Sequence, residues 1–263
     1  MDAVIRYQRN ESCATLTIDR PEKRNALNAA VIDALSEALR KAEEDDAIRS
    51  IVITGAGKVF SSGADLDELR NLQNATREQN EADSRRLADL FAQIYLHPKA
   101  VIARINGHAL AGGCGLAAVC DLSISTNEAK FGFPEVRIGF VPAIVSVIIL
   151  RKIGDARARE LFLRGHVITA QEAVEIGLIT RTVPISELDQ AVDDLSREIA
   201  NETSGAAIGV TKRLIADIQG IDLHEGLAHA VEINASARQS ADCRAGVAAF
   251  LERKGPPSKR DYS

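Results

Sequence analysis

The 263-residue sequence predicts an α/β fold with mostly parallel strand pairing. Two observations carry that expectation. Short apolar runs at 50–54, 101–105 and 121–125 alternate with segments whose apolar residues recur at helical spacing. Glycine-rich turns join two apolar strands to the helices that follow them, Phe60-Ser61-Ser62-Gly63-Ala64-Asp65 and Asn106-Gly107-His108-Ala109-Leu110-Ala111-Gly112-Gly113-Cys114-Gly115.

In chain order, residues 4–8 and 14–18 read as the strands of a starting hairpin. Asn28 is placed to cap a helix in which Val31, Leu35, Ala38, Leu39 and Ala42 fall on one face. The strands at 50–54 and 101–105 are separated by a loop and a long helix around 78–96, and 121–125 supplies a further strand. Beyond residue 140 the pattern turns helical. Thr169-Ala170-Gln171-Glu172 forms a capping box ahead of Ala173, Val174 and Ile176, and Gly177 suits the helix exit. Helices at 205–218, 223–237 and 241–254 close the sequence, with alanine-rich faces suited to close packing on another surface.

The two glycine-rich turns point to the chemistry. Each can aim a backbone N–H at one oxygen, and two such donors stabilise an oxyanion through fixed dipoles, most strongly where water is excluded. Small residues let a ligand oxygen approach the backbone to hydrogen-bonding distance. An anion derived from a carbonyl is the expected intermediate. Other phosphate- and acyl-binding patterns fail on inspection. Gly55-Ala56-Gly57-Lys58 follows a strand, but Val52 and Val59 stand where a P-loop needs glycine and Ser/Thr, and Phe60 replaces the third glycine of a dinucleotide fingerprint. No Gly-x-Ser-x-Gly elbow is present.

Bulk properties narrow the class. A formal charge of -5 without a long basic run argues against nucleic acid as the main partner. The start lacks a basic and apolar leader, and no apolar run reaches membrane-span length, so a cytoplasmic protein with no membrane partner is expected. Cys13, Cys114, Cys120 and Cys243 show no CxxC pair and read as reduced and structural, while the five histidines form no metal-ligand motif.

Four strings carry a family resemblance over nearly the whole chain: Arg20-Pro21-Glu22-Lys23-Arg24-Asn25-Ala26-Leu27-Asn28, then 60–65, then 106–121, then Phe131-Gly132-Phe133-Pro134-Glu135-Val136. In order and spacing the sequence resembles the enoyl-CoA hydratase/isomerase (crotonase) family. The resemblance implies a spiral of β-β-α units over residues 1–200 holding an acyl-CoA site, with 201–263 a helical region that builds a homotrimer or a hexamer made of two trimers. It implies that the oxyanion is a thioester enolate and that the N–H groups of Ala64 and Gly112 bind it. Coenzyme A then enters as the carrier part of the substrate, with no prosthetic group and no metal. Lys23, Arg24, Ser62 and Leu66 are implied to line the CoA nucleotide. Asp65 belongs to the same stretch, but it is equally placed to cap the following helix. Phe250 and Arg253 resemble positions by which the last helix reaches CoA on a neighbouring subunit.

By residue type alone Glu135 reads as an exposed loop glutamate, and the family resemblance implies instead that it is the acid/base. It follows Phe133-Pro134 and precedes an apolar stretch, and a carboxyl beside apolar walls favours its neutral form and exchanges protons with carbon near neutral pH. The sequence departs from the two-carboxylate hydratases of the family at Gly115, where they carry a second glutamate to activate water. A glutamate restored there is expected to face Glu135 and raise hydration. If another group activates water, Glu68, Glu78 and Glu81 are the next candidates. A second departure is Val141-Pro142-Ala143-Ile144-Val145-Ser146, apolar bulk where many relatives are glycine-rich. It reads either as helix packing or as a wall of the acyl pocket. The breadth of the resemblance places first, by a small margin, an enoyl-CoA hydratase-type lyase of fatty-acid or branched-chain acyl-CoA metabolism, ahead of a 3-enoyl-CoA to 2-enoyl-CoA isomerase using Glu135 alone and a CoA-binding scaffold trimer with little catalysis.

Overall fold

The structure is a computed structural model and describes residues 3–254. Strands β1 (Ile5–Asn10) and β2 (Cys13–Ile18) form the antiparallel hairpin, with Ile5 opposite Ile18 and Asn10 opposite Cys13. The Asn28 side chain then accepts the Val31 N–H at 3.0 Å and starts α1 (Ala29–Glu44), which buries Val31, Ile32, Leu35, Ala38, Leu39 and Ala42 on one face. Strand β3 (Ser50–Gly55) is buried at every residue, as a parallel strand covered on both faces must be.

From there the chain repeats one unit. Strand β3 leads to β4 (Val59–Ser61) and then to helices α2 (Leu66–Leu72) and α3 (Arg77–Leu96). Strands β5 (Ala100–Ile105) and β6 (His108–Leu110) lead to α4 (Gly112–Val119). Strands β7 (Leu122–Thr126) and β8 (Lys130–Gly132) lead through a 3-10 turn, Pro134–Ile138, to α5 (Ala143–Arg164), which is broken at Gly154 by a φ of 76°. The remaining elements are β9 (Val167–Thr169), α6 (Ala170–Glu175), β10 (Arg181–Val183), α7 (Leu188–Glu202), α8 (Gly205–Ile218), α9 (Leu223–Arg238) and α10 (Ala241–Lys254).

Each unit sends its first strand to a large sheet and its second to a small one. The large sheet runs β1-β2-β3-β5-β7-β10 and the small one β4-β6-β8-β9. All pairs are parallel except β1 with β2 and β8 with β9. This is the spiral of β-β-α units that the family resemblance implies. Because side chains alternate along a strand, Ile51 and Ile53 enter the main core beneath α1, α3, α4 and α5, whereas Val52 enters a second cluster with Leu188, Val192 and Ile199 of α7.

The expected capping box is present at Thr169 and Glu172. The C-terminal helices differ in character from the core. Neither α8 nor α9 buries a single residue, and Leu223, Leu227 and Val231 form an exposed apolar row on α9. Helix α8 is fastened through Lys212, whose Nζ lies 2.6 Å from the Asp121 carboxylate and within 3.3 Å of the Ile94 and Lys99 carbonyls. Among the described residues, no helix is long and apolar enough to cross a membrane.

Candidate active site

The first turn is pinned by the loop before α1. Ser62 N–H donates to the Arg24 carbonyl at 3.1 Å, Leu27 N–H to Gly63 at 2.8 Å, and Asp65 N–H to Leu27 at 3.2 Å. These bonds make a one-residue parallel bridge between Leu27 and Ala64. In such a bridge the N–H of Ala64 itself points away from Leu27. Among the described residues it meets no protein acceptor, and Ala64 is exposed.

The second turn brings a matching donor. Ala111 N–H bonds the Gly132 carbonyl at 2.8 Å, which ties the end of β6 to the end of β8, and Gly112 opens α4. As the first residue of the helix, Gly112 has an N–H without an intrahelical partner. The two turns come close together. A Cβ on Gly112 would lie 3.7 Å from Gly63 Cα and 3.9 Å from the Ala64 nitrogen, with nothing nearer. Gly63 has to be glycine for two reasons: its φ is +86°, and a Cβ there would sit 2.7 Å from Ala111 Cβ and 2.8 Å from the Gly112 nitrogen. Ala111 adopts φ 52° and ψ -129°, a region costly for a residue with a Cβ. Strain of that kind, of order 1–3 kcal/mol, persists where the surroundings over-determine it.

A buried polar network that the sequence reading missed holds the first turn. Asn25 is fully buried. Its amide nitrogen donates to the Ala56 and Val59 carbonyls at 2.9 and 2.7 Å, its Oδ1 accepts from Arg20 N–H, and its carbonyl accepts from Ser61 Oγ. Arg20 reaches the Ala26 carbonyl at 2.9 Å and pairs with Asp65 at 3.0 Å. Both oxygens of Asp65 are thereby engaged, since Oδ1 accepts the Asp67 N–H and caps α2. The capping alternative for Asp65 is the one the structure displays, and a carboxylate so occupied has little left for a ligand. The sequence signal was a run of polar residues embedded among Ala26, Leu27 and Phe60.

Glu135 enters from the same strand end that receives Ala111. It lies three residues beyond Gly132, and its turn is seated on α5 by Phe133 against Phe162 (ring centroids 4.9 Å apart) and by Val136 beside Gly165. The carboxyl is buried and Oε2 has no hydrogen-bond partner among the described residues. Burial holds it above the ordinary glutamate range, opposed only by a backbone hydrogen bond. Its charge reaches the Cys114 thiol, which burial pushes up to about 12. A buried carboxyl with one unpartnered oxygen, on a turn that follows the strand end holding Ala111, is suited to proton transfer.

Lys23 and Arg24 are exposed, Lys23 pairing with Asp67 at 2.8 Å and Arg24 holding a left-handed φ of 52°. Leu66 is 71 % exposed at the start of α2. Phe250 is exposed on α10, and the side chain of Arg253 lies outside the described residues. Glu68 is drawn to the N-terminus of α1, accepting the Ala29 N–H at 3.2 Å. Glu81 pairs with Arg77 on α3.

At Gly115 the structure corrects the expectation of room for a second carboxylate. A Cβ there would overlap Val145 Cγ1 and come within 3.0 Å of Phe91 Cε2. Val145 is buried, so packing is part of its role. The apolar bulk at 143–145 therefore occupies, at Val145, the space into which a side chain at 115 would grow.

A spiral of β-β-α units that brings its two glycine-rich turns together, with a buried carboxyl beyond the neighbouring strand end, narrows the class of protein. The comparisons specify the family. The enoyl-CoA hydratase/isomerase family model matches residues 8–260, and the chain belongs to that family. A Thermus thermophilus relative carrying a provisional enoyl-CoA hydratase name is 38 % identical over 92 % of this chain and 96 % of its own. The Escherichia coli 2,3-dehydroadipyl-CoA hydratase is 32 % identical over 95 % of this chain and 96 % of its own. Among solved structures, a Mycobacterium smegmatis enoyl-CoA hydratase superposes with a TM-score of 0.90 at 32 % identity, covering 96 % of this chain and 98 % of its own.

Proposed function

We propose that the protein adds water to a 2-enoyl-CoA, with Glu135 as its single proton-carrying side chain and the Ala64 and Gly112 amides as oxyanion donors. The observation that supports this reading best is the unpartnered Oε2 of the buried Glu135, three residues beyond the strand end that holds Ala111, the residue before Gly112. In the forward direction the thioester oxygen takes up negative charge as water attacks the β-carbon. The carboxylate accepts one proton from that water. The same carboxyl then delivers a proton to the α-carbon as the enolate collapses, so atoms and charge balance without a second acid. The hydratase names of the relatives favour this direction.

A second reading has its own observation. With the space above Gly115 filled by Val145 and Phe91, no second carboxylate faces the substrate from that position. One carboxylate suffices to take a proton from the α-carbon of a 3-enoyl-CoA and return it at the γ-carbon. Supplying crotonyl-CoA and a 3-enoyl-CoA separately, and following water addition and double-bond migration, tests the two. Hydration of crotonyl-CoA faster than migration supports the first reading. Migration without hydration transfers the assignment to the second, and inactivity on both substrates with CoA-ester binding intact leaves a scaffold.

The assembly belongs to the same proposal. Residues from about 201 onward present the apolar row of α9 and the exposed Val247, Phe250 and Leu251 of α10, a surface suited to a trimer or to two stacked trimers. Lys23, Arg24, Ser62 and Leu66 border the exposed mouth of the first turn and are assigned to the CoA portion of the substrate.

A further inference from the structure

Helix α4 is a poor helix by its own composition. It has eight residues, and three of them, Gly112, Gly113 and Gly115, are glycine. Helices this short are marginal in water, and each interior glycine weakens them further. The position of its first N–H must therefore be imposed from outside, and α5 grips it at two points. Near the start, Val145 lies over Gly115. Seven residues on, two turns along the same face of α5, Lys152 Nζ donates to the Ala118 carbonyl at 2.7 Å and to the Cys120 carbonyl at 3.2 Å. These are carbonyls at the far end of α4, where a helix has no N–H of its own to offer.

We infer that Lys152 is a positioning residue for the oxyanion site: by holding the C-terminal carbonyls of α4, it fixes the axial position of the helix and the aim of the Gly112 N–H at its other end. Its ammonium also complements the negative end of the dipole whose positive end lies at Gly112. Lys152 does not touch the substrate. The inference rests on the reading of Gly112 as an oxyanion donor. Lys212 provides the internal comparison. It is equally drawn into the protein, but its bonds go to Asp121, Ile94 and Lys99 rather than to α4.

The test is the infrared band of a thioester carbonyl labelled with carbon-13 in bound butyryl-CoA, which has no double bond to hydrate, together with kcat and KM on the enoyl-CoA substrate. In the wild type the band is expected to be displaced to lower frequency on binding. Lys152→Met keeps the apolar stem and removes the donor. It is expected to lose most of that displacement and to lower kcat roughly tenfold with KM little changed. Lys152→Arg restores both, and Lys212→Met keeps the full displacement whatever it costs in melting temperature. If Lys152→Met does not fold, Lys152→Leu, which also removes the donor, is read the same way. A folded variant lacking the ammonium that retains the wild-type displacement and kcat overturns the inference. A wild type that displaces the carbonyl band not at all overturns the oxyanion reading itself, and the role of Lys152 falls with it.

Discussion

Val145 stands where a side chain on Gly115 would have to begin, with Phe91 closing the other side at 3.0 Å. The absent carboxylate and the bulk on α5 are thus one feature of the packing. Gly115→Glu is accordingly expected to cost about 1–3 kcal/mol from overpacking and to lower activity instead of raising hydration. Combining it with Val145→Gly should recover part of the lost stability. Denaturant melts and crotonyl-CoA hydration on both variants check this, and a single variant as stable as the wild type would show that the site has room after all.

Glu135→Gln separates activity from stability. Turnover should fall by ~10²-fold or more, since the amide cannot cycle a proton. Stability should move the other way. A carboxyl whose folded-state pKa is raised favours folding fully below its unfolded value, and that advantage disappears as pH rises through the folded value. Near neutral pH the buried carboxylate is a burden, so the glutamine variant should melt higher than the wild type at pH 7, and the gain should vanish towards pH 4. By the same shift, the acidic limb of kcat/KM should lie above the ordinary glutamate value of about 4.3. Melting curves and a pH-rate profile read both; equal melting temperatures across that range would count against the buried state of Glu135.

Gly112 and Gly113 should respond differently although they are adjacent. A methyl on Gly112 meets nothing closer than 3.7 Å, so Gly112→Ala should fold normally while placing carbon in the space beside the Ala64 amide. Loss of one donor's access should cost ~10²-fold in rate or more. A methyl on Gly113 collides with the Ser61 carbonyl and would come within 2.7 Å of Ser61 Cβ, so Gly113→Ala should lose the fold first. Circular dichroism with rates distinguishes the two. Full activity in Gly112→Ala would remove that amide from the site.

Much of this architecture was legible in the sequence. The β-branched run at Ser50–Gly55 and the cap at Asn28 read directly into strand and helix, because both signals are local. The small sheet did not read. Its strands, such as His108–Leu110 and Lys130–Gly132, are three residues long, too short for any periodicity, and exist through pairing with one another. Within the site, the two turns stood out by their residue types and Glu135 through its place in the family motif. Asn25, Arg20 and Lys152 did not, because each has a partner 34 to 45 residues away on another element. Val145 was noticed as bulk, but only three-dimensional packing reveals that it faces Gly115.

The exposed apolar row of α9 predicts assembly. Light scattering at micromolar concentration should report a species larger than a monomer, and Val231→Glu, which places charge at a position 68 % exposed in the isolated chain, should dissociate it. A wild type that remains monomeric would leave the row without a function.

Deuterium delivery to the α-carbon tests the central claim most directly. Crotonyl-CoA turned over in deuterium oxide by the wild type should yield a 3-hydroxyacyl-CoA carrying one solvent deuterium at the α-carbon. Glu135→Gln should form that product at least ~10²-fold more slowly while binding CoA esters as before. A Glu135→Gln protein that labels the α-carbon at the wild-type rate would contradict the account, because the proton would then reach carbon by another route.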